Sequence, residues 1–452
     1  MRLDEESDRG AEDGSERRMS RLDFAKLVGG GIGAMSFAGA LAPVASAQRG
    51  LGWTHDSARA IAGKSLSFTV QSSDLPGFQA VAKQTYGRTA GAVPVKISQV
   101  PDNGWQIVVP RELAAGTAGD IVEVQPGGGT PLAIETLVPS HYLMDLSDQP
   151  WVKKIPKSVL SVCSVNGKVY FAPIRGGVMV VFYNKAMFNQ VGVTVPTTWP
   201  EFLAVCEKLK AAGKIPIWLD ATNASNGGVN SLFITYPLAA ATDAGTAQWP
   251  TLHKKGKVSF SKSGWVQALN NYVLLYKSGY FSPNPTGGAP LSQLANNEAA
   301  MYCFVGEGLS TAQTGFGKAN TGAFVLPNAN TAAKVVASAG SGAGLAVNAK
   351  TKNPDLAKAF MAAATTPLGV KLDCAIGGGI PLMPSKPGAV AQCFVPNVLP
   401  IVQAGRTSTY YDQLWPNTAV QKALVSGSQD LLTGQQTVAQ VLSAMDDAYN
   451  TK

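Results

Sequence analysis

The residue types that carry covalent or metal chemistry are sparse in this chain and too scattered to form a reaction centre. Its three histidines, His55, His141 and His253, stand apart in loop-like segments. Neither GxSxG nor HExxH occurs, so the local signatures of serine hydrolases and zinc peptidases are missing. Gly63-Lys64-Ser65 imitates the end of a phosphate loop, but Ala58 stands where its first Gly belongs. Cys163, Cys206, Cys303, Cys374 and Cys393 make no CxxC pair and no zinc spacing. Cys374 and Cys393 flank a Gly/Pro-rich loop and are the best placed pair for a disulfide, while the other three sit in apolar surroundings as buried thiols. What remains is non-covalent recognition by polar residues at strand ends. Two such ends are Gln71 to Asp74 and Gln125 to Gly127, each of which also reads as an ordinary turn.

The elements that would position these ends alternate. Leu66–Val70 reads as a strand, Phe78–Tyr86 as a helix and Val93–Ile97 as a strand. Ile107–Ala115 then reads as a helix stopped by Gly116, and Asp120–Val124 as a third strand. Such β-α-β-α-β order predicts a parallel sheet covered by helices. Asn166-Gly167 is a hairpin signal followed by a strand from Lys168 to Phe171. A break from Pro173 to Gly177 precedes the continuous apolar run Val178–Tyr183, typical of a strand buried on both faces. Thr198 and Glu201 form a capping box for a helix that ends at Gly213. A strand from Ile215 to Asp220 follows, ending in a polar loop. The helix Trp265–Tyr276 and the strands Ala299–Val305 and Thr321–Pro327 complete a second α/β unit. A second Gly-rich break, Ser338–Gly344, precedes the strand Leu345–Val347, and Asn353-Pro354 opens a helix through Ala364. Two breaks of this kind, each leading into a strand, read as crossings between two lobes. Ile174, Gly176, Gly177, Gly340 and Gly342 are the hinge residues.

At 452 residues the chain has material for two domains. Its formal charge of +8 is spread without any run of five basic residues, so no nucleic-acid footprint is present. Residues 1–47 read as an address. A polar leader is followed by a weakly apolar run from Leu27 to Ala42, and then by Ala45-Ser46-Ala47, a small-x-small cleavage site with no lipid-anchoring Cys. Ser20 to Lys26 resembles the twin-arginine export motif, with Leu22 in place of the second Arg; an ordinary secretory signal is the other reading. Beyond this leader, no segment approaches the ~18 apolar residues needed to span a membrane.

Asn166-Gly167-Lys168-Val169-Tyr170, Pro173 and Phe182-Tyr183-Asn184-Lys185-Ala186-Met187-Phe188 together resemble the NGKxYG-P…YYNKxLF block of sugar-binding proteins of ABC importers. That group includes maltose-binding protein. Leu113 to Val122 is similar to the LAAG-x-PD segment, with Gly119 for the usual Pro, and Pro196 to Phe202 is similar to P-x-TWDEF. Asn296 to Gly306 and Leu432 to Tyr449 extend the likeness, which is collinear from residue 64 to 450.

The resemblance implies an α/β, two-lobed periplasmic-binding-protein fold of type II. Each lobe would be a mostly parallel sheet flanked by helices, and three crossovers would form the hinge. After the signal at 1–47 and a leader at 48–63, lobe 1 would comprise 64–175 and 341–400. Lobe 2 would comprise 176–340 and 401–452, with the third crossover near Ile401–Arg406. The resemblance further implies a monomer without cofactor that closes on a mono- or oligosaccharide and delivers it to ABC permease subunits with an associated ATPase. Asp74, Gln125, Arg175, Trp218, Asp220, Asn223, Glu307, Tyr410, Asp412 and Trp415 would form its ligand set, with Trp415 as a stacking aromatic. Glu307 and Gly308 stand where the family often has a Trp, which points to a smaller or more polar ligand. Other readings are a non-sugar solute (a glycerophosphodiester, another anion or a polyamine), a sensory binding protein, and an exported hydrolase.

Overall fold

A computed structural model describes residues 65–72, 74–86, 95–100, 104–222, 226–245 and 249–451. The expected export signal, its cleavage site, the leader, His55 and Asn223 lie outside the described residues.

The chain opens with strand β1 (Leu66–Gln71), helix Leu75–Tyr86, β2 (Val95–Val100), helix Trp105–Ala115 and β3 (Ile121–Val124). Both β2 and β3 pair with β1 in parallel. Gly116 ends the second helix in the left-handed region at φ 73, and its N–H donates to the Glu112 and Leu113 carbonyls. The hairpin β4 (Ser164–Val165) and β5 (Lys168–Val169) turns at Asn166 and Gly167, whose φ values of 51 and 76 suit a primed turn. Then come β6 (Phe171–Ala172) and β7 (Arg175–Asn184), a ten-residue strand with nine buried residues. Thr198 and Glu201 form the expected reciprocal cap of helix Trp199–Ala211.

Strands β8 (Ile215–Trp218), β9 (Ala299–Val305), β10 (Thr321–Phe324), β11 (Ala337–Ser341) and β12 (Gly344–Val347) follow. Helices Pro354–Ala364 and Pro367–Gly377 lead to β13 (Ile380–Pro381), and β14 (Thr407–Ser408) precedes the closing helices Thr418–Thr433 and Val438–Asn450. No single described helix is long and apolar enough to cross a membrane.

Two principal sheets result. The first has the order β2-β1-β3-β12-β6; the second runs β14-β11-β7-β9-β8, with β10 and β13 also on β7. Both are mixed, which corrects the expectation of mostly parallel sheets. In the first, β12 is antiparallel to β3 and β6. In the second, β7 is antiparallel to β9, β10, β11 and β13. The physical reason is the crossing itself: β7 and β12, the strands that carry the chain from one sheet into the other, run against their new neighbours.

The Gly-rich segments are also more ordered than expected. Gly176 and Gly177 already belong to β7, and Gly340 to β11. The two crossing strands pair directly, Gly177 with Gly340 and Gly176 with Ser341. Absence of side chains lets two backbones run side by side where both leave one sheet for the other.

Separate apolar cores lie against the sheets. Phe68, Ile121, Phe171, Leu345, Phe360, Val370 and Met383 share the first. Phe202, Leu209, Trp265, Leu424 and Met445 belong to a second, and Phe182, Tyr302, Phe304, Ala391, Phe394 and Val398 to a third. Both of these pack on the second sheet. Phe394 sits 6.0 Å, centroid to centroid, from Phe182 of β7. Met383 thus packs in the first core and Phe394 in the third, while β13 at Ile380–Pro381 already pairs with β7. All five cysteines are free thiols. Cys374 is buried in the first core and Cys393 packs beside the third, so the expected pairing is not made.

Candidate functional site

Arg175, the first residue of β7, is the centre of the site. It is 1% exposed and ranks among the largest fully buried side chains. Its Nη2 lies 2.5 Å from Asp74 Oδ1 and 3.6 Å from Glu123 Oε1. Nη1 donates to Asp373 Oδ1 at 2.9 Å, and Nε lies 3.5 Å from Glu307 Oε1. Asp74 follows β1, Glu123 is in β3 and Asp373 is in helix Pro367–Gly377, all on the first sheet's side; Glu307 follows β9 on the second. The guanidinium also stands 5.0 Å over the Phe78 ring. A Cβ added at Gly379 would come within 2.7 Å of Arg175 Cδ, so the loop after helix Pro367–Gly377 lies directly on the Arg stem.

One cation cannot balance four buried carboxylates, and the acidities of Glu307, Asp373 and Glu123 show it. Burial drives Glu307 from 4.5 up to about 7 against the pull of Arg175. Burial likewise raises Asp373 from 3.8 to about 6. Glu123 is pushed well above its ordinary range by burial and by the Asp74 charge. Glu123 also accepts the Gln71 N–H at 2.9 Å, tying it to the end of β1.

Around this cluster, glycine lets the two sides meet closely. Gly127 and Gly129, after β3, lie against the backbone of Gln413 and Asp412, while Gly306, after β9, lies against Gly378. A Cβ at Gly177 would sit 2.5 Å from the Tyr410 hydroxyl, and one at Gly342 would sit 2.9 Å from Glu307 Oε1. Gln413 Nε2 donates to the Ser341 carbonyl at 2.5 Å. Several polar atoms at this seam are buried without a hydrogen-bond partner: Gln125 Oε1, Glu307 Oε2, Asp373 Oδ2, Tyr410 Oη and Gln413 Oε1.

Of the residues expected from sequence, Asp74, Arg175 and Glu307 meet directly, and Tyr410 borders them. Gln125 ends β3 beside the seam. Asp412 contributes its backbone at Gly129, while its carboxyl is raised to about 6 by burial. The remaining three have other duties. Trp218 donates its Nε1–H to the Pro290 carbonyl at 3.2 Å and packs edge-on against Tyr302. Asp220 Oδ1 accepts from the Thr222 N–H and hydroxyl, forming a local turn. Trp415 is 3% exposed, among Tyr236, Phe260 and Trp265, so its rings serve the core and offer no free stacking face in this conformation.

Sequence reasoning missed Glu123, Asp373 and Gln413. Glu123 carried a faint signal as the lone charge of Ile121-Val122-Glu123-Val124, whereas Asp373 shares its helix with Lys371 and carried none. Separately, an open groove of about 550 Å³ is lined by Pro381, Lys386, Pro387, Val395 and their neighbours; it contains none of the carboxylates that meet Arg175.

Residues 70–371 match the model of the bacterial extracellular solute-binding proteins, and the chain belongs to that family. It is 24% identical over 278 residues to the multiple sugar-binding protein of Streptococcus mutans serotype c, covering 61% of this chain and 64% of that relative. Among solved structures, a chitin oligosaccharide binding protein superposes with a TM-score of 0.68 at 23% identity, covering 86% of this chain and 99% of the other. The solute-binding protein RafE in complex with raffinose superposes with a TM-score of 0.66 at 17% identity, covering 85% and 99%. The fold is thus the two-lobed, hinged α/β architecture of periplasmic binding proteins of the maltose-binding type.

Proposed function

We propose that this chain is the exported capture subunit of an ATP-driven importer, binding a mono- or oligosaccharide between its lobes and presenting it to membrane permease subunits. The observation that carries this reading is the convergence of Asp74, Glu123, Glu307 and Asp373 on Arg175 where two crossing strands pair. That point lies beyond the carboxyl ends of β1 and β3, where open α/β sheets receive ligands. Planar carboxylates and amides with unsatisfied oxygens suit the hydroxyl edges of a sugar. The relatives named for sugars support the same class of solute.

Lobe 1 then comprises 65–175 with roughly 343–383, and lobe 2 the intervening and following segments. Capture proceeds by a shift from open to closed populations, with no covalent step. Export by a signal cleaved after Ala47 and action as a monomer complete the reading. A thermal-shift screen of mono- and disaccharides tests it: a sugar at a hundred times its dissociation constant should stabilise by ~2.7 kcal/mol. Stabilisation by glycerophosphodiesters alone would overturn the sugar assignment.

A further inference from the structure

The charge count at Arg175 bears on what kind of sugar is captured. Four carboxylates stand within 3.6 Å of one guanidinium, and every one of these side chains is at most 7% exposed. Were all four ionised, the cluster would carry an excess of three negative charges. Buried charge without a counter-charge is strongly disfavoured, so something positive must complete the set. Among the described residues no lysine does: Arg175 is the one cation paired with the cluster. Independent of the charges, acceptor atoms are left over. Among the described residues, Glu307 Oε2 and Asp373 Oδ2 have no donor, and neither does Tyr410 Oη, which faces Gly177 across the same seam.

Resting on the solute-capture reading above, we propose that the captured saccharide carries a protonated amino group, and that this ammonium is taken up beside Arg175 by Glu307 and Asp373. An ammonium offers three donors and one positive charge, the two things the seam lacks. A neutral sugar supplies neither charge nor enough donors in one place, and a phosphorylated or carboxylated one would add to the excess. Without that ammonium, protons relieve the excess only in part, because burial raises Glu307 to about 7 and Asp373 to about 6. Entry of an ammonium ionises the fraction still protonated, about half of Glu307 and little of Asp373 at pH 7, and those protons pass to the buffer. Because Gly306 and Gly378 touch here, the occupant enters as the seam parts and closes onto it.

The test is titration calorimetry at pH 7 with matched pairs: glucosamine, galactosamine and their β-1,4 disaccharides, each beside its N-acetylated twin, with glucose and galactose as neutral references. The amino form should bind at least about tenfold tighter than its twin. Repeating the titration in buffers of different ionisation enthalpy should show proton release for the amine alone. Glu307→Gln, which keeps shape and removes one charge, should erase most of the preference while still binding. An acetylated or neutral sugar binding as tightly as every amino sugar would overturn the proposal and leave sugar capture standing. Spermidine binding in place of any saccharide would instead overturn the sugar reading and leave the charge argument standing.

Discussion

Arg175 Nη2 lies 2.5 Å from Asp74 Oδ1, with both side chains almost fully buried. The pair joins the first residue of the central strand β7 to the loop that follows β1, at the point where the chain first passes between its sheets. Glu123, Asp373 and Glu307 share the same guanidinium. The cluster is therefore both a structural pin and the least balanced charge site among the described residues.

Removing the cation should be severe. Arg175→Met leaves four carboxylates facing one another in a dry seam, and loss of one partner of a buried pair costs about 3–5 kcal/mol. Urea unfolding at pH 7 should show a loss of that size, and a smaller one at pH 5, where Glu123, Glu307 and Asp373 take up protons. Equal losses at both pH values would mean that packing, and not charge, holds Arg175 in place.

Acidity sets the direction of the wild-type response. Burial raises Glu307 to about 7 and Asp373 to about 6, and it raises Glu123 as well, all above their unfolded values. The stability linked to these groups is fully present below their unfolded values and is lost as pH rises through the folded ones. The midpoint of thermal unfolding should therefore climb from pH 8 to pH 5.5. Asp120 works in the opposite sense: burial raises it, but hydrogen bonds from Ser67 and Thr351 outweigh this and lower it. Its contribution is present above its unfolded value and disappears as pH falls through the lower folded one, so stability should drop again below about pH 4. A flat profile between pH 8 and 5.5 would contradict the assignment of these protons.

Closure depends on bare backbone at the seam. Gly306→Ala places a methyl against the Gly378 carbonyl, and neither backbone can yield without moving a strand or a helix end. Ligand affinity should fall by about tenfold or more, equivalent to 1.4 kcal/mol of disfavoured closure, with helix content by circular dichroism unchanged. Unaltered affinity would show that these two loops do not meet in the bound state.

Trp415 separates packing from recognition. Truncating a buried aromatic to Ala costs about 3–5 kcal/mol, and Trp415→Ala should lose stability on that scale because Tyr236, Phe260 and Trp265 surround it. Trp415→Phe should recover most of that stability and bind ligand normally. A stable Trp415→Phe that no longer binds would restore Trp415 as a stacking residue.

Much of the fold was legible because its signals are local. The parallel β1–β2–β3 unit, the Asn166-Gly167 turn and the Thr198–Glu201 cap follow from hydrophobic period, positive-φ preference and side-chain capping. The antiparallel entry of β12 and the pairing of Gly177 with Gly340 were not, because pairing partners 163 residues apart leave no local trace. At the site, Asp74, Arg175 and Glu307 could be picked out as polar residues next to strand ends. Asp373 could not, since it lies inside a helix and acquires meaning only when Arg175 reaches it, and Glu123 had only its isolation in an apolar strand to mark it. Trp415 shows the opposite error. A Trp near the seam in sequence becomes a core residue once helix Trp265–Lys277 and helix Leu232–Ala240 close over it.

Hydrogen–deuterium exchange with and without the tightest-binding sugar tests capture between the lobes most directly. The account predicts simultaneous protection on both sides of the seam, around Asp74 and Gly127–Gly129 on one lobe and around Gly306–Gly308 and Tyr410–Gln413 on the other. Protection confined to one lobe, or to the groove between Pro381 and Leu399, would contradict it.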